Sequence, residues 1–192
     1  MDRVEAAKLV FLDETAINTS MVRLYGWAPR GERACGHVPY GSWKRLTVLG
    51  ALSVRGAEGV MTIAGGTTRD VFEAYLSHVL LPSLKNTHPT GAILVLDNLS
   101  SHKSERIETL VRDAGFTLKY LPRYSPDLSP LELCWSKLKE VLRRAEARTV
   151  AALDQALAAA LDAITAEDAQ GWFQHCGYQV QSCILEHPAL LQ

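Results

Sequence analysis

The chain has 192 residues, of which 47% are hydrophobic and 21% are charged, and its formal net charge at pH 7 is −1. This length and apolar content suffice to bury one substantial core with a small appendage. Charged side chains at Asp2, Arg3, Glu5 and Lys8 exclude the apolar stretch of a signal peptide, and no apolar run approaches the length of a membrane span. We therefore expect a soluble, cytoplasmic protein.

The cysteines are scattered along the chain. Cys35, Cys134, Cys176 and Cys183 form no C-x-x-C pair. This spacing argues against a zinc site or a disulfide framework. We therefore expect buried or reduced thiols.

The near-neutral total charge conceals two basic bands. Residues 21–55 contain six basic residues and one acidic residue, and residues 119–148 contain seven basic and four acidic residues. Beyond residue 149 there is no Lys or Arg. Such bands can contact a polyanion, because phosphate contacts depend on local rather than total charge. On charge alone, the alternative of ordinary solvated faces is favoured.

The first third of the chain predicts three antiparallel strands. The predicted elements are strands at residues 8–12, 44–54 and 60–64 and a turn at residues 55–59. Residues 15–43 lack clear periodicity and carry glycines and prolines among aromatic side chains. We expect an ordered loop or ribbon here, with a short strand at residues 22–27.

Strands and helices then alternate. The predicted elements are a helix capped at residues 67–70 and ending at Leu81 and Pro82, a strand at 92–96, a helix at 104–114, a strand at 116–121, and helices at 130–144, 149–164 and 167–176. This order predicts a mixed five-stranded sheet flanked by helices, an α/β architecture with extra C-terminal helices. It resembles the ribonuclease-H-like fold, in which the first strand lies centrally beside the fourth.

Three acidic residues stand at the ends of these elements. Asp13 and Asp97 each follow a buried apolar strand, and Glu132 lies in the first turn of the helix opened by Pro130. The fold would make Asp13 and Asp97 neighbours. We hypothesise that the three carboxylates converge to hold divalent metal ions.

Each acid has an alternative interpretation. Glu132 could complete a capping box with Ser129, and Asp13 could merely end its strand. Glu14 offers a second carboxylate, but neighbouring strand residues point to opposite faces, so we choose Asp13 because its position matches that of Asp97. Residues 98–101 could be turn and cap residues.

The chemistry follows from the carboxylates. Mg²⁺ and Mn²⁺ prefer oxygen ligands and keep positions for water and substrate phosphate. Two such ions can assist the attacking and leaving oxygens of an in-line displacement. The implied reaction is phosphodiester cleavage or transfer.

Three sequence blocks carry a resemblance to a known family. They are L-D-E-T at residues 12–15, L-D-N-L-S-S-H-K-S at 96–104 and L-P-R-Y-S-P-D-L-S-P-L-E-L-C-W-S-K-L-K at 121–139, and 34 residues separate Asp97 from Glu132. The chain resembles the catalytic domain of bacterial insertion-sequence transposases related to the Tc/mariner group, the DDE endonucleases. The resemblance covers roughly residues 8–148.

The resemblance implies the roles of individual residues. Asp13, Asp97 and Glu132 would be the catalytic triad and would bind Mg²⁺ or Mn²⁺, with two ions expected. Residues 1–148 would be the catalytic domain, with a DNA-contacting insertion at 15–43, and residues 149–192 a helical extension. The expected DNA-binding residues are Arg23, Trp27, Arg30, Arg33, Lys44, Arg45, His102, Lys103, Arg123, Lys137, Lys139 and Arg143.

The family also implies partners. Its members hydrolyse double-stranded DNA at transposon ends and join the freed 3′-hydroxyl to target DNA, characteristically at a TA dinucleotide. Relatives carry helix-turn-helix domains before the first catalytic Asp, whereas 12 residues precede Asp13 here. We therefore expect a missing N-terminal segment and a homodimer when assembled. The alternatives are a catalytically idle nucleic-acid-binding remnant and another ribonuclease-H-like nuclease.

Overall fold

The computed structural model describes residues 5–98 and 103–180. The strands are β1 (Leu9–Asn18), β2 (Arg45–Ser53), β3 (Gly56–Ala64), β4 (Ile93–Leu96) and β5 (Thr117–Tyr120). The α-helices are α1 (Arg69–Tyr75), α2 (Leu81–Thr87), α3 (Glu105–Asp113), α4 (Pro130–Ala145), α5 (Val150–Asp162) and α6 (Ala166–His175). Short 3₁₀ turns lie at Ala6–Lys8 and Pro126–Leu128.

The five strands form one mixed sheet in the order β3-β2-β1-β4-β5. β1 and β2 are antiparallel, as are β2 and β3, whereas β1 and β4, and β4 and β5, are parallel. The predicted fold class and the central position of the first strand beside the fourth are therefore confirmed.

The two faces of the sheet bury separate apolar cores. On one face, Val10 and Leu12 of β1 pack with side chains of α1, α2 and α3. On the other face, Phe11 and Ile17 pack with α4, α5 and α6. The alternation of β1 decides which residues face which core, because successive side chains leave a strand in opposite directions. The predicted C-terminal helices are confirmed as elements, and they pack on the same core as α4.

Two local structures that were predicted between the first three strands differ from those in the structure. No strand is present at residues 22–27, and all of residues 21–44 lie outside regular elements. The predicted turn at residues 55–59 is also wrong in position, because β3 already begins at Gly56 and pairs with Ser53. Gly59 has a φ of 57° beside a register shift between β2 and β3, so this glycine serves a bulged strand rather than a turn.

The helix at α1 does not end at Pro82. A π-helical turn, Leu76–Leu80, connects α1 to α2, and the helix continues through Pro82 to Thr87. The N–H of Leu81 donates to the carbonyl of Leu76, five residues back. This wider turn directly precedes Pro82, where the helix must tolerate a residue without an N–H. Within the described ranges, no helix is long and apolar enough to cross a membrane.

Candidate metal-dependent active site

Asp13 and Asp97 lie side by side at one edge of the sheet. The parallel register pairs Leu12 with Leu96, and each acid directly follows one of these two residues. Phe11 and Val95, two residues earlier, both belong to the core on the α4 side. By strand alternation, both carboxylates project from the α4 face of the sheet.

Glu132 comes to this edge from α4. The helix is anchored by a buried stripe that includes Leu131, Trp135 and Leu138, while Glu132 is exposed in its first turn. The Ser129 side chain makes no capping hydrogen bond, although α6 has a complete capping box of Thr165 and Asp168. The capping-box interpretation of Glu132 is therefore not supported by the geometry.

The three acids line one cavity of about 520 Å³. Its basic lining residues are Lys103 and Arg123, both of which were predicted to contact DNA. The ammonium of Lys103 lies 5.2 Å from the ring centroid of Tyr120, so this cation is also held by a cation–π contact. The cavity thus combines three carboxylates with cations that can face a phosphate.

Asp13 is a strongly perturbed carboxyl in this cavity. Burial, partly opposed by a backbone hydrogen bond at Glu14 and reinforced by the negative charges of Glu132 and Asp97, raises the pKa of Asp13 to about 7. An ionised Asp13 is therefore costly unless a positive charge compensates it. A proton or a bound cation would provide that charge.

The donor set suits Mg²⁺ or Mn²⁺, because all three side chains offer carboxylate oxygens. Among residues 5–98 and 103–180, however, no three His, Cys, Asp or Glu side chains stand close enough together to form a complete metal site. This arrangement is compatible with Mg²⁺, which is commonly bound by one or two carboxylates together with substrate phosphates. The residues fit a divalent cation that is bound partly by these carboxylates and partly by the substrate's phosphate oxygens.

Glu14 lies on the other face of β1. It follows Asp13 directly and pairs with Leu49 in β2. Its Oε2 atom is buried without a hydrogen-bond partner among the described residues. The geometry therefore agrees with the choice of Asp13 rather than Glu14 as the residue that faces the cavity.

The other predicted DNA-binding residues are spread over three places. Arg23, Trp27, Arg30, Arg33 and Lys44 lie in the irregular segment between β1 and β2, where all are exposed, and Arg45 opens β2. Lys137 forms an ion pair with Asp168 of α6, and Lys139 and Arg143 lie further along α4. None of these is among the residues that line the cavity, and His102 lies outside the described residues.

Tyr124 is a cavity residue that the sequence interpretation missed. Its side chain is 98% exposed at the cavity rim, and its backbone has a φ of 58°. A positive φ is uncommon for a residue other than glycine, and such residues concentrate at functional sites. The prolines on both sides of it, Pro122 and Pro126, were the available signal for an unusual loop.

Comparisons with known proteins identify a family and a matching fold. A sequence model of the family described as DDE superfamily endonuclease matches residues 8–154. A search of curated protein sequences found no match. Among solved structures, the Mos1 transposase paired-end complex with left transposon end superposes with a TM-score of 0.70 at 18% identity, covering 90% of this chain and 52% of the transposase chain.

Two further structures have the same fold. The Mos1 mariner paired end complex with Mn matches with a TM-score of 0.69 at 18% identity, covering 90% of this chain and 52% of that chain. The Mos1 transposase catalytic domain with Raltegravir and Mg matches with a TM-score of 0.67 at 15% identity, covering 89% of this chain and 79% of that chain. The present chain thus spans about half of the transposase chains in the paired-end complexes. Since the family match extends over most of its length, the chain belongs to the DDE superfamily endonucleases.

Proposed function

We propose that this chain is the catalytic domain of a transposase that hydrolyses DNA at transposon ends and transfers the freed strand into target DNA. One observation carries the proposal: Asp13, Asp97 and Glu132, contributed by three separate elements, line a single cavity. In this proposal they are the catalytic residues and the ligands of two Mg²⁺ or Mn²⁺ ions. Such ions would assist the attacking and leaving oxygens of an in-line displacement.

The charge of the cavity supports this assignment. The raised pKa of Asp13, caused chiefly by burial and then by the neighbouring acids, indicates a site that gains from a cation. Lys103 and Arg123 line the same cavity and would hold the scissile phosphodiester by its oxygens. Contacts of this kind position DNA without reading its sequence.

The segment between β1 and β2 is the proposed secondary contact with double-stranded DNA. It carries Arg23, Arg30 and Arg33, and Trp27 is 102% exposed. Arginine side chains bind phosphate oxygens, and an exposed aromatic ring can pack on sugars or bases. Lys44 and Arg45 at its end would extend this surface.

Partners are proposed by analogy with the structural relatives. The Mos1 complexes contain paired transposon ends, and each of those chains is about twice as long as the part matched here. We propose that recognition of the ends requires a helix-turn-helix segment outside this chain and that the assembled form is a homodimer.

The test is a Mn²⁺ titration of nicking on supercoiled plasmid. Asp97→Asn and Glu132→Gln should each abolish metal-dependent nicking while leaving the fold intact by circular dichroism. Glu140→Gln is the matched control, because Glu140 lies on the same helix and forms an exposed ion pair with Arg144. The control should nick like wild type.

Three results would contradict the proposal. Nicking by both the Asp97→Asn and the Glu132→Gln variants would show that these carboxylates are not needed for the reaction. DNA retention that persists in a chelator, with no nicking at any metal concentration, would indicate an idle binding module. Preferential cleavage of RNA/DNA hybrids would indicate a different nuclease of the same fold.

A further inference from the structure

Tyr178, just beyond α6, is hydrogen-bonded to the segment that leads into the active-site helix. Its hydroxyl donates to the carbonyl oxygen of Leu128 at 2.8 Å. Leu128 ends the 3₁₀ turn Pro126–Leu128, and Ser129 directly precedes α4. The bond therefore fixes the chain immediately before the first helical turn, where Glu132 lies.

The ring of Tyr178 also contacts the strand that carries Asp13. Its centroid lies 5.3 Å from the ring of Phe11 and 5.8 Å from the ring of Phe173, and these two phenylalanine rings are 5.4 Å apart. Phe11 lies two residues before Asp13 on the same face of β1. One side chain thus touches both the strand of the first carboxylate and the approach to the third.

The backbone holds Tyr178 in this position. Gly177 has a φ of 85°, its N–H donates to Gln174, and the N–H of Tyr178 donates to Phe173. This is the Schellman pattern of helix termination, which is usually accompanied by an apolar contact between the residues that correspond to Tyr178 and Phe173. The turn therefore directs the Tyr178 ring back onto the sheet.

The 3₁₀ turn also borders a cavity. A cavity of about 370 Å³ separates residues of the turn, including Asp127, from His175 and Cys176 at the end of α6. The Tyr178 hydroxyl bonds directly to Leu128, which is one of the residues that line this cavity. Burial, followed by the proximity of Cys176 and Asp127, raises the pKa of Tyr178 to about 12, so the hydroxyl remains a donor at neutral pH.

We propose that Tyr178 is a positioning residue that sets the placement of Glu132 relative to Asp13. The proposal rests on the function proposed above. It assigns a role in the site to the C-terminal segment, whose described residues, 150–180, supply no carboxylate to the cavity.

The experiment compares two tyrosine-to-phenylalanine variants of the full chain. Tyr178→Phe removes only the bond to Leu128. Tyr75→Phe is the matched control, because the Tyr75 hydroxyl donates to the carbonyl of Gly59 at 2.7 Å on the opposite face of the sheet. Amide hydrogen exchange over residues 125–132 and the Mn²⁺ concentration for half-maximal plasmid nicking are measured for both.

Tyr178→Phe should raise exchange over residues 125–132 and increase the Mn²⁺ midpoint about three- to tenfold, as expected for the loss of one hydrogen bond. The half-saturating plasmid concentration should not change, since phosphate contacts are untouched. Tyr75→Phe should alter neither exchange in this segment nor the Mn²⁺ midpoint.

Equal exchange in the two variants would overturn the positioning role of Tyr178, and so would equal Mn²⁺ midpoints. Metal-dependent nicking by the wild-type protein tests the proposed function separately. If wild type shows no metal-dependent nicking, that function fails, and the exchange measurement alone then decides whether Tyr178 restrains the turn.

Discussion

Replacing Asp13 with asparagine should stabilise the metal-free domain at pH 8 much more than at pH 5. The wild-type carboxyl has its pKa raised from 3.8 to about 7, first by burial and then by Glu132 and Asp97. Below the unfolded pKa the carboxyl is protonated in both states and does not reduce the stability of the fold. As the pH rises from the unfolded towards the folded pKa, the wild-type protein loses stability, because the carboxyl ionises more readily in the unfolded chain. Asparagine has the same shape but cannot ionise.

The magnitude follows from the linkage between protonation and folding. Each pH unit between the unfolded and folded pKa values costs about 1.4 kcal/mol, so the variant should gain roughly 3 kcal/mol over wild type between pH 5 and pH 8. For a domain of this size, that gain corresponds to roughly 6–12 °C in melting temperature. The assay is thermal unfolding of both proteins at the two pH values in the presence of chelator.

The control is Asp113→Asn, which changes a carboxylate whose side chain is 70% exposed. Adding Mn²⁺ at pH 8 should raise the melting temperature of wild type and of this control, but not that of the Asp13 variant. An offset between wild type and the Asp13 variant that is the same at pH 5 and pH 8 would refute the assigned electrostatic cost.

Two further predictions concern stability away from the carboxylates. Gly50→Ala should destabilise the domain by about 1–3 kcal/mol in urea unfolding, because an added Cβ would lie 2.9 Å from Cη2 of Trp135. Unchanged stability would mean that the Trp135 ring moves aside freely. Glu58→Gln should cost about 1–3 kcal/mol at neutral pH. Burial alone would raise the pKa of Glu58, but hydrogen bonds from neighbours including Thr87 and His88 lower it overall. The penalty should therefore shrink as the pH falls below 4.5, and a pH-independent penalty would contradict this explanation.

The sheet and the placement of two acids followed from local patterns. Apolar runs that stop at Asp13 and Asp97 are visible in the sequence, and the order of elements makes their strands neighbours. Strand alternation allows only one of Asp13 and Glu14 to face the site, and Asp13 was preferred because its position after the apolar run matches that of Asp97. Patterns of this kind are predictable because burial on both faces leaves few alternatives for a central strand.

The remaining features depend on contacts that are distant in sequence. Lys137 reads as a surface cation on α4, yet it is paired with Asp168 on a helix that packs beside it. Pro82 predicts a helix end, but packing retains the helix through a π-helical turn. Tyr178 gains its importance from a carbonyl 50 positions away. Neither periodicity nor spacing encodes such partners.

The two ends of the segment between β1 and β2 are held together by hydrogen bonds. The N–H of Thr19 donates to the carbonyl of Lys44, the N–H of Lys44 donates to the hydroxyl of Thr19, and Arg148 donates to the carbonyl of Met21. Loop-closure entropy grows only slowly with length, so insertions or deletions between these hydrogen-bonded ends cost little folding stability. The length and chemistry of this segment could therefore change without disturbing the sheet, so that its contacts can be altered independently of the carboxylate site.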